Sequence, residues 1–108
     1  MEMDESQHLG GNIELSGFRE IENGTSVVVK KILGNHVRRF MEICPHFEKL
    51  SITLKTIHGN DPTKKVELHA KLFCKSKMFS SEITDNNLFV TLDKLLKKLE
   101  NEAMAALK

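Results

Sequence analysis

Apolar and polar residues repeat along this chain with two different periods, and the switches between them divide it into elements. Over residues 12–18, Ile13, Leu15 and Gly17 alternate with Asn12, Glu14 and Ser16, the two-residue period of a half-buried strand. From Val27 to Cys44 the spacing becomes helical, with Val29, Ile32, Leu33, His36, Val37, Phe40, Ile43 and Cys44 on one stripe. Glu22-Asn23-Gly24 reads as a turn before this helix, Thr25 or Ser26 as its N-cap and Pro45 as its stop. Gly34 in mid-helix costs about 1 kcal/mol relative to Ala, so the helix is expected either to bend there or to accept a closely packed neighbour. Leu50, Ile52 and Leu54 alternate with Ser51, Thr53 and Lys55 in a second strand, and Gly59-Asn60-Asp61-Pro62 marks a turn. Val66, Leu68, Ala70, Leu72 and Cys74 define a third strand. Lys75-Ser76-Lys77 reverses the chain into a fourth, Met78 to Thr84. Leu88, Leu92, Leu95, Leu99 and Ala103 then recur at three and four, which predicts an amphipathic helix capped by Asp85, Asn86 or Asn87.

The element order is therefore β-α-β-β-β-α. Each strand has one apolar face and each helix one apolar stripe, and short turns between the last three strands make those strands antiparallel. The economical packing is α+β: a two-layer sandwich of a four-stranded sheet with both helices on one face. The other face, with Ser51, Thr53, Lys55, Glu67, His69 and Lys71, turns to water. A chain of 108 residues supports one core, assigned here to residues 12–108. Residues Met1 to Gly11 read as a mobile acidic leader.

Composition removes several functions. No apolar run approaches the ~20 residues of a membrane helix, and the acidic N-terminus lacks a signal pattern. A formal charge of +1, from 16 basic and 15 acidic residues, gives no global attraction to polyanions. The charges are segregated, however. Glu2, Asp4, Glu5, Glu14, Glu20 and Glu22 face a single Arg19 in the first 22 residues, which leaves the remainder basic. Cys44 and Cys74 read as two reduced thiols of a cytosolic protein. With His46, His58 and His69 they lack the short paired spacing of a zinc site, and no third group completes a Cys–His nucleophile. Gly10-Gly11 precedes a strand and so does not form a phosphate cradle. No metal, cofactor, membrane partner or small-molecule substrate is expected.

The basic residues of the remainder gather on the helices. Lys31 and Arg38 stand seven apart on one side of the first helix, flanked by Lys30 and Arg39, and Lys94, Lys97 and Lys98 form a cluster on the second. By default such outer-face cations are simply solvated. If the helices lie side by side, the seven make one positive surface suited to an RNA groove by shape.

The order of elements and the last third of the chain resemble the short ribosome hibernation-promoting factors and ribosome-associated inhibitor A, a group also called sigma-54 modulation proteins. In Asp85 to Leu99, Phe89 stands at the family's aromatic position and Val90-Thr91 at its two small residues. Leu92-Asp93 stands at the apolar-Asp pair, and Lys98-Leu99 at the Lys-Leu. Ile13-Glu14-Leu15-Ser16-Gly17 is similar to the opening strand, and Lys77 to Glu82 to the last one. Lys30, His36 and Arg39 fall where members often carry basic residues. The resemblance implies a cytoplasmic, non-enzymatic factor. Such a factor binds the small ribosomal subunit near the decoding region, through ribosomal RNA, and stops translation in resting or stressed cells. It implies an RNA-binding role for Lys30, Lys31, Arg38, Arg39, Lys94, Lys97 and Lys98.

The chain departs from the pattern in one direction. Asn101-Glu102 replaces an Arg-Gln, the tail from Ala103 to Lys108 lacks a basic run, and the acidic leader is extra. All three lower positive charge, and phosphate contacts dominate RNA affinity. The alternative is therefore a protein-interaction module of the same fold that has lost RNA binding. The chain is expected to correspond to a short form, without a second, dimer-forming domain. A small enzyme is the third reading and requires a concave pocket with convergent polar groups.

Overall fold

The computed structural model describes residues 13–19, 21–44, 46–57 and 65–107. The expected leader and the turn at 59–62 lie outside the described residues. Six elements follow in the expected order: β1 (Ile13–Ser16), α1 (Asn23–Ile43), β2 (Phe47–Ile57), β3 (Lys65–Cys74), β4 (Lys77–Asp85) and α2 (Leu88–Ala106). The strands form one mixed sheet in the order β1-β2-β3-β4. β1 runs parallel to β2, as a strand–helix–strand connection requires, whereas β2, β3 and β4 are antiparallel. The short β3–β4 link is a two-residue hairpin in which Lys75 and Ser76 adopt positive φ, 41° and 67°.

Both helices pack on one face of this sheet around a single core. Ile13, Leu15, Leu50, Ile52, Leu54, Leu68, Ala70 and Leu72 point into it from the strands. Val29, Leu33, Val37 and Phe40 enter from α1, and Leu92, Leu95, Leu96, Leu99 and Ala103 from α2. The apolar stripes read from the sequence are thus the buried ones, because burying each stripe against the sheet is the dominant gain on folding. Gly17, just beyond β1, is the position where only glycine fits. Its φ is +81°, and a Cβ there would stand 2.1 Å from the carbonyl oxygen of Leu54.

Helix starts differ in detail from expectation. α1 begins at Asn23, so the segment expected as a turn is its first turn. Glu22 occupies the N-cap with no side-chain hydrogen bond, its carbonyl accepts from the Ser26 N–H at 2.9 Å, and Ser26 is buried. α2 selects Asn87 among its three candidate caps: the Asn87 side chain accepts from the Val90 N–H at 3.0 Å. α1 runs unbroken through Gly34, and a Cβ there would meet nothing within 4 Å. Among the described residues, no neighbour packs tightly against it.

The expectation of two reduced thiols is corrected. Cys44, at the end of α1, and Cys74, at the end of β3, form a disulfide with Cα atoms 5.7 Å apart, and both residues are fully buried. Thirty residues separate them in sequence. Nothing in that spacing announces the pairing; it arises because both segments deliver their ends to the same edge of the core.

Candidate nucleic-acid interface and the carboxylate seam

The two helices lie against each other, and above their shared core the contact between them is ionic. His36 of α1 reaches Asp93 of α2, Nε2 to Oδ1 at 2.9 Å, and its Nδ1 lies 3.8 Å from Glu100 Oε2. The Arg39 Nε donates to Glu100 Oε1 at 2.9 Å. Lys97 closes back on Asp93 at 3.1 Å, one turn along the same helix. The His36 and Lys97 hydrogen bonds hold the Asp93 carboxyl below its ordinary value, and the Glu100 hydrogen bond pushes the Arg39 guanidinium further up. His36 and Glu100 are mostly shielded, at 12% and 15% side-chain exposure, whereas Arg39 is 54% exposed. The seam therefore binds the helices together with charges that are still half in water.

Each of the seven cations named from the sequence can now be placed. Arg39 and Lys97 border the seam, each on a carboxylate. Lys94 lies on the outer side of α2 and reaches Asp85 at 3.4 Å. Lys31 and Arg38 are exposed on the outer side of α1. Lys30 is six residues before His36, roughly 120° round the helix, and so lies on the flank of α1 turned away from α2. Lys98 lies on the opposite flank of the layer, beside Ser80 and Ser81 of β4. Lys30, Lys31, Arg38 and Lys98 have no ion-pair partner among the described residues. The single continuous cationic surface expected from the sequence is thus divided. Asp93 and Glu100 stand in its middle, and Lys30 and Lys98 mark its two ends.

The open face of the sheet carries a second polar cluster. His69 lies opposite Glu82 on β4, and its Nδ1 meets Glu82 Oε2 at 3.0 Å while Nε2 contacts Glu67 Oε2. The His69 hydrogen bond holds the Glu67 carboxyl below its ordinary value. Ligand-type atoms of these three residues lie within 4.8 Å of one another. Both imidazole nitrogens already lie against carboxylates, one on each neighbouring acid. At the hairpin end of the same face, Lys49 Nζ lies 5.6 Å from the Phe73 ring centroid and 3.0 Å from Glu14. The polar side chains at the β4 edge line a depression open to solvent, a shape unlike an enclosed substrate pocket. No described helix is long and apolar enough to cross a membrane.

Sequence reasoning missed the seam. The sequence pattern places His36 on the apolar stripe of α1, and its partner is 57 positions away. The one available signal was the placement of Asp93 and Glu100 seven apart on α2, which puts both on one flank.

A four-stranded mixed sheet covered on one face by two helices, in the order β-α-β-β-β-α, defines the fold class. Solved structures share it. The chain is similar to a ribosomal subunit interface protein from Coxiella burnetii (TM-score 0.59, 15% identity, 88% of this chain and 93% of that one). It is also similar to the N-terminal domain of Thermus thermophilus Protein Y (TM-score 0.57, 16% identity, 93% of this chain and 99% of that one). No model of a known protein family and no curated protein sequence matches the chain. The likeness to these two structures is one of fold, along nearly the whole length of each chain.

Proposed function

We propose that this protein is a non-enzymatic, cytoplasmic, ribosome-associated inhibitor of translation. It binds ribosomal RNA of the small subunit through the exposed cations of its helix layer and obstructs the decoding region. The observation that carries the reading is the end-to-end fold likeness to a protein named for the ribosomal subunit interface. Lys31 and Arg38, exposed on one side of α1 and without an ion-pair partner among the described residues, are the first phosphate contacts, with Lys30 and Lys98 at the flanks. Arg39, Lys94 and Lys97 join only if phosphate displaces their carboxylates.

The carboxylate seam favours a second reading, in which the same fold recognises a protein and has lost RNA. Co-sedimentation with purified small subunits separates the two. Lys31→Glu with Arg38→Glu is expected to remove the chain from the subunit fraction while its circular dichroism stays unchanged. Binding to small subunits that survives both charge reversals refutes the proposed interface. Retention on a defined protein in nuclease-treated lysate, without subunit binding, establishes the second reading.

A further inference from the structure

The outer edge of β4 ends the sheet, and its sequence is complementary to itself. β4 is nine residues long, Lys77 to Asp85, and pairs with β3 without a register break. It contains no proline, and no described element pairs with its outer side. Such an edge presents unpaired N–H and C=O groups that natural sheets usually block. The two-residue hairpin makes Cys74 and Lys77 a hydrogen-bonded pair, so the odd-numbered residues of β4 bond to β3. The N–H and C=O groups of Met78, Ser80, Glu82 and Thr84 therefore point outward.

A particular side chain marks the centre. The Ser81 hydroxyl oxygen is shielded from solvent and has no hydrogen-bond partner, alone among the buried side-chain polar atoms of the described residues. A buried hydroxyl left without a partner is unfavourable unless something satisfies it.

We infer that β4 pairs antiparallel with β4 of a second copy of this chain about a two-fold axis at Ser81, giving a continuous eight-stranded sheet. This register sets Lys77 opposite the partner copy's Asp85, Phe79 opposite its Ile83, and Ser80 opposite its Glu82. Ser81 opposes its own equivalent in a non-hydrogen-bonded pair, where side chains approach most closely and the two hydroxyls can bond to each other. Phe79 and Ile83 are only partly buried at the rim of the core, and pairing completes their cover. A register two residues further along places Glu82 directly against itself and is disfavoured. On α2, Lys98 and Glu102 stand beside Ser81 at this edge, one turn apart. The two-fold axis brings each toward the opposite charge of the other copy. The partner is thus identified by charge and register complementarity, and it is independent of the ribosomal reading.

Sedimentation equilibrium of the RNA-free protein tests it. The expected result is a concentration-dependent rise in mass from 12.3 kDa toward twice that value. Ser80→Pro removes an N–H that faces the partner and not β3, and is expected to abolish the rise while the monomer stays folded. Lys98→Glu alone is expected to weaken the dimer, and Lys98→Glu with Glu102→Lys to restore it. A monomer at every concentration overturns the inference and leaves the edge to an extended segment of another protein. So does a dimer indifferent to both Ser80→Pro and the charge swap.

Discussion

Asp93→Asn combined with Glu100→Gln tests whether the seam holds cations away from RNA. In the native chain four cations, Lys30, Lys31, Arg38 and Lys98, stand without an ion-pair partner among the described residues, and Arg39 and Lys97 are held on the two carboxylates. At about 0.7–0.9 counterions released per phosphate, four contacts give a log–log salt slope near −3 to −4. Freeing Arg39 and Lys97 raises the count to six and steepens the slope to about −4 to −5. A steepening of roughly 1.6 means the variant's advantage shrinks about tenfold between 50 and 200 mM salt. The amides keep the shape of the carboxylates, and their carbonyl oxygens can still accept from His36 and Arg39, so the fold survives. The assay is fluorescence anisotropy of labelled protein titrated with small subunits across that salt range, with thermal melts as control. Two results refute the reasoning. Equal slopes near −5 to −6 in both proteins show that phosphate displaces the carboxylates without help, which returns all seven cations to the interface. A flat response in both shows that phosphate neutralisation is not the mode of binding.

The remaining predictions concern the scaffold. Gly17→Ala and Gly34→Ala are expected to act in opposite directions in urea unfolding. The first costs at least about 1–2 kcal/mol for the left-handed backbone plus the clash on Leu54, whereas the second gains about 0.5–1 kcal/mol because space is open around a regular helix position; equal midpoints contradict the backbone assignment at Gly17. Replacing both Cys44 and Cys74 by Ala is expected to lower stability by about 3–4 kcal/mol, the loop-closure value for the 30-residue separation. Unfolding midpoints that are the same with and without reductant refute the disulfide. Because the folded Asp93 carboxyl lies below its ordinary value, its contribution is present above the unfolded value near pH 4 and is lost as pH falls through the folded one. Asp93→Asn should therefore cost stability at pH 6 and converge with the native chain in acid, and a gap that widens on acidification reverses that sign.

Periodicity alone determined the six elements, their order and the inward face of each. Stripes at three and four, or at two, have only one way to bury themselves in a chain this short. Turn chemistry was legible at the β3–β4 hairpin. The exact helix starts were not, because Glu22 serves as N-cap without a side-chain bond and three candidate oxygens preceded α2. The identity of the candidate cations was also legible; their environment was not. His36 meets Asp93, Arg39 meets Glu100, and Cys44 meets Cys74 only because two helices and a sheet converge from segments 30 to 61 residues apart. Pairings of that range leave no periodic trace, since each partner already satisfies its own element's pattern. Helix periodicity fixes the direction in which a lysine points, but a carboxylate from a neighbouring helix determines whether its charge is free to meet a phosphate.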